Sequence, residues 1–235
     1  MSRPLDVASS FAVSILRGGS GLVVANAGLH PEKPLELYEF EACPFCRKAR
    51  EALTALDLEA MIYPCPKGGP RFRAKAQEIG GKSRFPFLVD PNTDTHLYES
   101  DAIVRYLAKH YGTGDIPLLL ALGSLTDAMS TLASAPRATR GARYRRARAP
   151  EKPLELWSFE ASPYCRLVRE ALTELEIPYL LHNVGKKSTR RDAFVARSGK
   201  MMVPYIVDPN TGKEMFESAD ILRYLETTYA EEPRV

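Results

Sequence analysis

The chain contains itself twice. Residues 31–56 read PEKPLELYEFEACPFCRKAREALTAL, and residues 150–175 read PEKPLELWSFEASPYCRLVREALTEL, an offset of 119. Further along, FPFLVDPNT at 85–93 meets VPYIVDPNT at 203–211, and YESDAIVRYL at 98–107 meets FESADILRYL at 216–225, both at offset 118. One residue is lost between the two registers, placed by alignment near Gly80–Gly81 against Gly199. A unit of about 85 residues, repeated once, is a duplicated domain rather than a solenoid. Whatever one copy folds into, the other must fold into as well.

Within each copy, period and punctuation give the element order. LELYEF alternates as a short strand. A helix follows, with apolar Ala49, Leu53 and Leu56 spaced four and three apart, matched by Val168, Leu172 and Leu175. AMIYP and YLLHNV read as second strands, and the polar stretch after them has helical potential in its latter half. FPFLVD and HLYES are strands joined by the turn signal DPNTDT, and a last helix starts near Ser100 or Ser218. The order β-α-β-α-β-β-α predicts an α/β fold, with a parallel βαβ unit feeding an antiparallel hairpin and helices covering the sheet.

The division expected is an N-terminal helical arm (1–30), a first domain (31–114), a linker (115–149) and a second domain (150–235). Residues 1–27 carry an early Arg3 and the small-residue run ANA at 25–27, but Asp6, Arg17 and several glycines interrupt the apolar stretch. An amphipathic helical arm fits them better than a secretory signal. The linker offers one helix in IPLLLALGSLTDAMSTLAS, and DVASSFAVSILRGG loosely resembles LTDAMSTLASAPRATRG, so each copy is expected to follow its own helix and arm.

The net charge of +3 is local in origin, because RATRGARYRRAR at 137–148 holds six arginines and no acid; without them the charge is −3. A basic face across the fold is therefore not indicated, and no nucleic-acid partner is expected. The arginine run itself reads as a solvated linker. No apolar run approaches the ~18–20 residues needed to span a bilayer.

Of the four cysteines, Cys43 and Cys46 form a CxxC at the junction of the first strand and its helix, and Cys165 repeats only the second of them, Ser162 standing where Cys43 stands in copy one. A helix start offers unpaired N–H groups and the positive end of the dipole, which favour an anion. Pro44 suits the first helical position. Cys43 is thus placed as a thiolate nucleophile, and Cys46, one turn further in, as the resolving thiol. Ser162 has no evident base and is not a nucleophile at neutral pH. Cys65 reads as a packing thiol, and no metal site is expected because no second ligand pair has suitable spacing. This thiol usage suits a reducing compartment, the cytoplasm first.

CPFC after the first strand, a proline opening the third (Pro86, Pro204) and Glu-Ser before the last helix together resemble the thioredoxin-like fold. More narrowly, they resemble glutaredoxins and the N-terminal, glutathione-binding domain of glutathione S-transferases, in tandem. The resemblance covers about 31–114 and 150–230. It implies a cis proline after Phe85 and after Val203, whose backbones would pair with the cysteinyl part of glutathione. It implies that Glu99–Ser100 and Glu217–Ser218 would hold the γ-glutamyl end, against the alternative that each serine is a plain helix cap. More loosely, it places Lys67 and Lys186 near the glycyl carboxylate. Ser162 would donate a hydrogen bond to a glutathione thiolate, as in serine-type transferases, with Cys165 at the covered position.

Three functions are compatible with this reading. The first is a glutathione-linked thiol–disulfide oxidoreductase acting on a small-molecule or protein disulfide. The second is a glutathione transferase using Ser162 or Cys43 to hold the glutathione thiolate. The all-helical second domain of full-length transferases has no counterpart in the 235 residues, which counts against conjugation of bulky electrophiles. The third is a non-enzymatic glutathione-binding or interaction scaffold.

Overall fold

A computed structural model of the chain describes residues 3–137 and 139–231. Its first element is helix α1 (Arg3–Leu16). The first repeat follows as β1 (Leu35–Glu39), α2 (Pro44–Ala55), β2 (Ala60–Pro64), α3 (Phe72–Gly80), β3 (Phe87–Asp90), β4 (Thr95–Tyr98) and α4 (Ser100–Tyr111). Between the repeats lie the single turn α5 (Leu118–Ala121) and helix α6 (Ser124–Ser134). The second repeat is β5 (Leu154–Ser158), α7 (Pro163–Glu174), β6 (Tyr179–Asn183), α8 (Arg191–Ser198), β7 (Tyr205–Asp208), β8 (Lys213–Phe216) and α9 (Ser218–Tyr229). Each repeat is the β-α-β-α-β-β-α unit of the thioredoxin-like fold.

Strands β1 and β2 are parallel, β1 and β3 antiparallel, and β3 and β4 antiparallel, and the second repeat copies this pattern. The repeats do not stand apart. Strand β2 pairs antiparallel with β6, Ala60 opposite Leu181 and Ile62 opposite Tyr179, and the result is one eight-stranded sheet ordered β4-β3-β1-β2-β6-β5-β7-β8. Each copy covers the edge that the other would leave bare. One hydrophobic core runs across the seam, from Leu35, Leu53 and Leu107 to Leu154, Leu172 and Leu225.

The missing residue falls within α3, the helix that ends at Gly80 and Gly81. Arg71 and Arg190 cap α3 and α8 at offset 119, whereas Gly81 and Gly199 end them at offset 118, both left-handed at φ 76° and 83°. Helix α8 is one residue shorter, and the shared glycine cap holds both ends in the same place.

Helices α1 and α6 cross over. Helix α1 packs on α7 of the second repeat, α6 packs on α2 of the first, and the two touch each other. The segments behind them are straps. Val24 N–H donates to the Lys186 carbonyl and Lys186 N–H to Leu22, while Lys67 N–H donates to Ala142 and Tyr144 N–H to Lys67. Gly21 and Gly141 are left-handed (φ 77° and 66°), and an added Cβ would lie 2.7 Å from Glu160 Cβ and 2.8 Å from Glu41 Cβ respectively. Only glycine passes that close.

The arginine run is a solvated linker only in part: Arg143, Arg146 and Arg148 are exposed, but the others are not. Arg137 is buried and paired with Glu170 and Asp6, Arg140 reaches Asp6 at 3.5 Å, Arg145 reaches Glu226 at 2.7 Å, and Arg146 reaches Glu231 at 3.5 Å. The acids that pair with these four arginines lie far from them in the chain, so the local sequence shows only the cations.

The DPNT turns are more than turns. Asp90 Oδ2 accepts from the Tyr106 and Tyr111 hydroxyls at 2.6 and 2.5 Å, and Asp208 Oδ2 accepts from Tyr224 and Tyr229, both at 2.5 Å. Burial pushes the Asp90 carboxyl up, but the two tyrosines and Asn92 more than offset it and the net shift is downward. A lowered folded-state value means its stabilisation is complete above the ordinary aspartate pKa of about 4 and fades as the pH falls. Asp90→Asn is expected to lower stability by about 1–3 kcal/mol at pH 7. The deficit should shrink in acid, and urea unfolding at pH 7 and pH 3 checks both parts. An equal deficit at the two pH values would count against the carboxylate.

Candidate active site

Cys43 caps α2 from an extended backbone (φ −74°, ψ 122°), with Pro44 next, and its Sγ accepts the Cys46 N–H at 3.3 Å. A hydrogen bond from the Cys46 thiol is the largest influence on the Cys43 thiol. It opposes burial, with help from the Cys46 and Phe45 N–H groups and the Arg50 charge, and the Cys43 pKa is lowered to about 7. Cys46 is fully buried, and burial, followed by its hydrogen bond to Cys43 and the Cys43 and Glu39 charges, pushes its thiol up. The two sulfurs of one motif are thus driven in opposite directions, the outer toward thiolate and the inner toward thiol.

The Cys43 sulfur lies 4.0 Å from the Phe85 carbonyl oxygen, and the Phe85–Pro86 bond is cis. Phe85 and Pro86 line a cavity of about 230 Å³ together with Glu99, Ser100, Phe45 and Arg84. Glu99 precedes α4 with φ 68° and ψ 120°, a backbone state that non-glycine residues seldom adopt, and Glu217 repeats it at φ 67° and ψ 112°. The plain-cap reading of the serines does not hold: the capping positions belong to Glu99 and Glu217, neither side chain bonds back to the helix, and Ser100 and Ser218 are the first helical residues. The first turn of α4 is therefore left with N–H groups for an anion at the cavity.

Lys67 is not among the residues lining that cavity. It is exposed, its backbone is held by the strap at Ala142 and Tyr144, and exposed Lys186 is held likewise by Leu22 and Val24. Cys65 packs with Tyr38, Ala76 and Phe87, and burial pushes its thiol up.

A model of the glutathione S-transferase N-terminal domain matches residues 37–115 and again 156–233. The chain belongs to the glutathione S-transferase N-terminal domain family, which it carries as a tandem repeat. That membership supports a glutathione-related function. Among solved structures, a delta-class glutathione transferase of Nilaparvata lugens is 30% identical over 34% of this chain, with a TM-score of 0.29, and the match spans 37% of its length. The trimeric glutathione transferase TDR1 of Leishmania is 12% identical over 86% of this chain and 68% of its own, with a TM-score of 0.31. No curated protein matches the chain.

The second glutathione S-transferase-like repeat keeps the geometry and changes the chemistry. Ser162 caps α7 at φ −70° and ψ 118°, its Oγ accepts the Cys165 N–H at 3.3 Å, and Val203–Pro204 is cis. Cys165 is buried and its thiol is pushed up by that burial, against the hydrogen bonds of Ser158 and Ser162. A second difference accompanies the Cys43/Ser162 change: Glu39 at the end of β1 is Ser158 at the end of β5.

Between the two sites lies a feature that the periodicity did not show. Glu39, Glu41, Arg47 and Arg50 from the first repeat meet Glu160, Arg166 and Arg169 from the second, all seven buried. Arg50 bridges Glu160 at 2.9 Å, Glu41 at 3.2 Å and Glu39; Arg169 bridges Glu41 at 3.0 Å and Glu160 at 2.8 Å. The straps add Arg17 on Glu51 and Arg137 on Glu170. Phe45 and Arg84 were also passed over as site residues. Their signal was position alone, Phe45 within CPFC and Arg84 two residues before the cis proline.

Proposed function

We propose that the protein is a glutathione-linked thiol–disulfide oxidoreductase with Cys43 as its nucleophile. The observation that supports this best is the Cys43 sulfur, lowered to about 7 at the start of α2, next to a carbonyl of the cavity that also holds the first turn of α4. In that cavity Phe85 would pair its backbone with glutathione's cysteinyl unit. Glu99 would meet the ligand ammonium, and Ser100 with the helix N-terminus would receive the γ-glutamyl carboxylate. Lys67 would reach the glycyl end only from the rim. In the second repeat, Val203–Pro204, Glu217–Ser218 and Lys186 would form the equivalent groove around Ser162, with Cys165 beneath.

The Cys43 thiolate attacks the glutathione sulfur of a mixed disulfide, forming Cys43–S–S–glutathione and expelling the substrate thiolate, which takes a proton from water. A second glutathione, as its thiolate, attacks that bond, releasing oxidised glutathione and restoring Cys43. One disulfide is consumed and one is formed: the substrate sulfur is reduced to a thiol while the sulfur of the second glutathione is oxidised. Cys46 offers an intramolecular exit in the same two-electron balance, and the upward shift of its thiol disfavours that route. Four free thiols suit a reducing compartment such as the cytoplasm.

Reduction of a small mixed disulfide by glutathione, coupled to glutathione reductase, tests this. Turnover should rise with pH through a midpoint of about 7. A midpoint at the ordinary cysteine value of about 8.5 would remove the activated thiol from the argument, and an inert protein would remove the reading.

A further inference from the structure

The crossed helices α1 and α6 form an outer layer, and its free side is apolar. Buried Ser10, Val13 and Arg17 turn the inner side of α1 onto the protein, and Ser130, Ala133 and Arg137 do the same for α6 and the turn after it. The two helices run antiparallel. Arg17, just past α1, donates to the Thr126 carbonyl at the start of α6 at 3.4 Å, and Arg137, past the end of α6, donates to the Asp6 carbonyl in the first turn of α1 at 2.8 Å. With the antiparallel β2–β6 seam, this gives the chain an internal twofold relation that includes its outer layer.

The opposite side of α1 carries Leu5, Ala8, Ala12 and Ile15, spaced three, four and three, and the opposite side of α6 carries Ala128 and Leu132, with Ala135 following. Leu5 keeps 58% of its surface exposed, Ile15 76% and Leu132 70%. With Phe11, Leu16 and Leu122 they make up six of the eleven exposed large apolar side chains among the described residues, so they form a patch and not a scatter. From Pro4 to Leu16 the one charge is Asp6, and in α6 it is Asp127; these pair with Arg137 and with Lys48.

We propose that this face is the interface of a homodimer, in which a second copy of the chain lays its own α1 and α6 on the first about a twofold axis. The area fits that occupant: fractions of this size on six large side chains leave roughly 600 Å² of apolar surface, the top of what a monomer ordinarily shows and most of the ~800 Å² that each partner of a stable dimer covers. The shape fits as well. Helix α1 has its bulk at the ends, Leu5 and Ile15 around two alanines, whereas α6 has it in the middle, Leu132 between two alanines. With α1 of one copy on α6 of the other, large side chains meet small ones, and the twofold axis makes that fit twice. An anionic lipid surface would draw on Lys or Arg beside the apolar stripe, but α6 contains neither and α1 has none after Arg3.

Sedimentation equilibrium of the intact protein tests the proposal. At micromolar concentrations it should sediment at twice its chain mass, in molar salt as in dilute buffer, because no charge pair holds the face. Ile15→Glu and Leu132→Glu both act on exposed side chains. Each should weaken association by about 100-fold or more, since a twofold interface buries the added charge twice, while the near-ultraviolet circular dichroism of the folded chain stays as in the parent. A parent that is monomeric throughout that range, or a dimer that survives both substitutions, overturns the proposal. A monomeric parent that co-sediments with phosphatidylcholine vesicles would overturn it in favour of lipid.

Discussion

Cys43→Ser is expected to bring glutathione-dependent disulfide reduction to background, a loss of about 10³-fold or more, because an alcohol without a base offers no anion to attack sulfur. The variant should fold normally, since the protein already contains that experiment. Ser162 holds nearly the same backbone angles as Cys43, and accepts the same N–H bond at the same 3.3 Å. Loss of turnover with unchanged unfolding would therefore be a loss of chemistry. The reverse change, Ser162→Cys, should create a second reactive thiol above Cys165 and raise turnover if the second groove accepts glutathione. Retained activity in Cys43→Ser would move the nucleophile elsewhere in the chain.

The largest effect on stability is expected from Glu160→Ala. Burial alone would push the Glu160 carboxyl up, but the guanidinium groups of Arg169, Arg50, Arg166 and Arg47 overcome it and bring its pKa to about 2. Removing it leaves those four buried arginines with Glu39 and Glu41, and Glu51 acting on Arg47. Breaking a buried pair from one side costs about 3–5 kcal/mol, since the remaining charge loses its partner without regaining water. The pH dependence follows in sign. A carboxylate held below its ordinary 4.5 contributes fully above that value, and the contribution fades as the pH falls toward about 2. Glu39 runs the other way: burial, against the pull of Arg50, raises it to about 7, so its ionisation weakens the fold as the pH rises through that point. The Glu160 charge is one of those that raise Glu39, so urea unfolding of parent and Glu160→Ala should differ by a constant amount only above about pH 7 and converge in acid. A deficit under about 1 kcal/mol at pH 7 would mean that the cluster relaxes or takes up solvent.

Much of each repeat was legible because its signals are local. Alternation in LELYEF, Pro44 after Cys43 and the DPNT turn each specify their own geometry within a few residues. The seam was hidden because it depends on where two distant segments meet. The sequence of α2 showed Ala49, Leu53 and Leu56 as its inner face, yet all residues from Cys46 to Ala55 are buried, with α4 on one side, α6 on another and Glu160 reaching Arg50 from the second repeat. A helix period marks one apolar stripe, and it cannot announce that the charged faces will be covered as well. The arginine run failed for the same reason. Its charges were visible, but not the acids that answer them.

The crossed arms also bear on the order in which the protein is made. Helix α1 leaves the ribosome before either repeat, but its seat is α7, and the strap behind it is held in part at Ala161 and Lys186. For the time needed to synthesise well over a hundred further residues, the first repeat has no second strand edge to join and helix α1 lacks its seat, although the strap behind it already meets Ala55 and Tyr111 of the first repeat. The nascent chain therefore carries an exposed β2 edge and a loose amphipathic helix until β6 emerges, an interval in which association with another chain competes with completion of its own sheet.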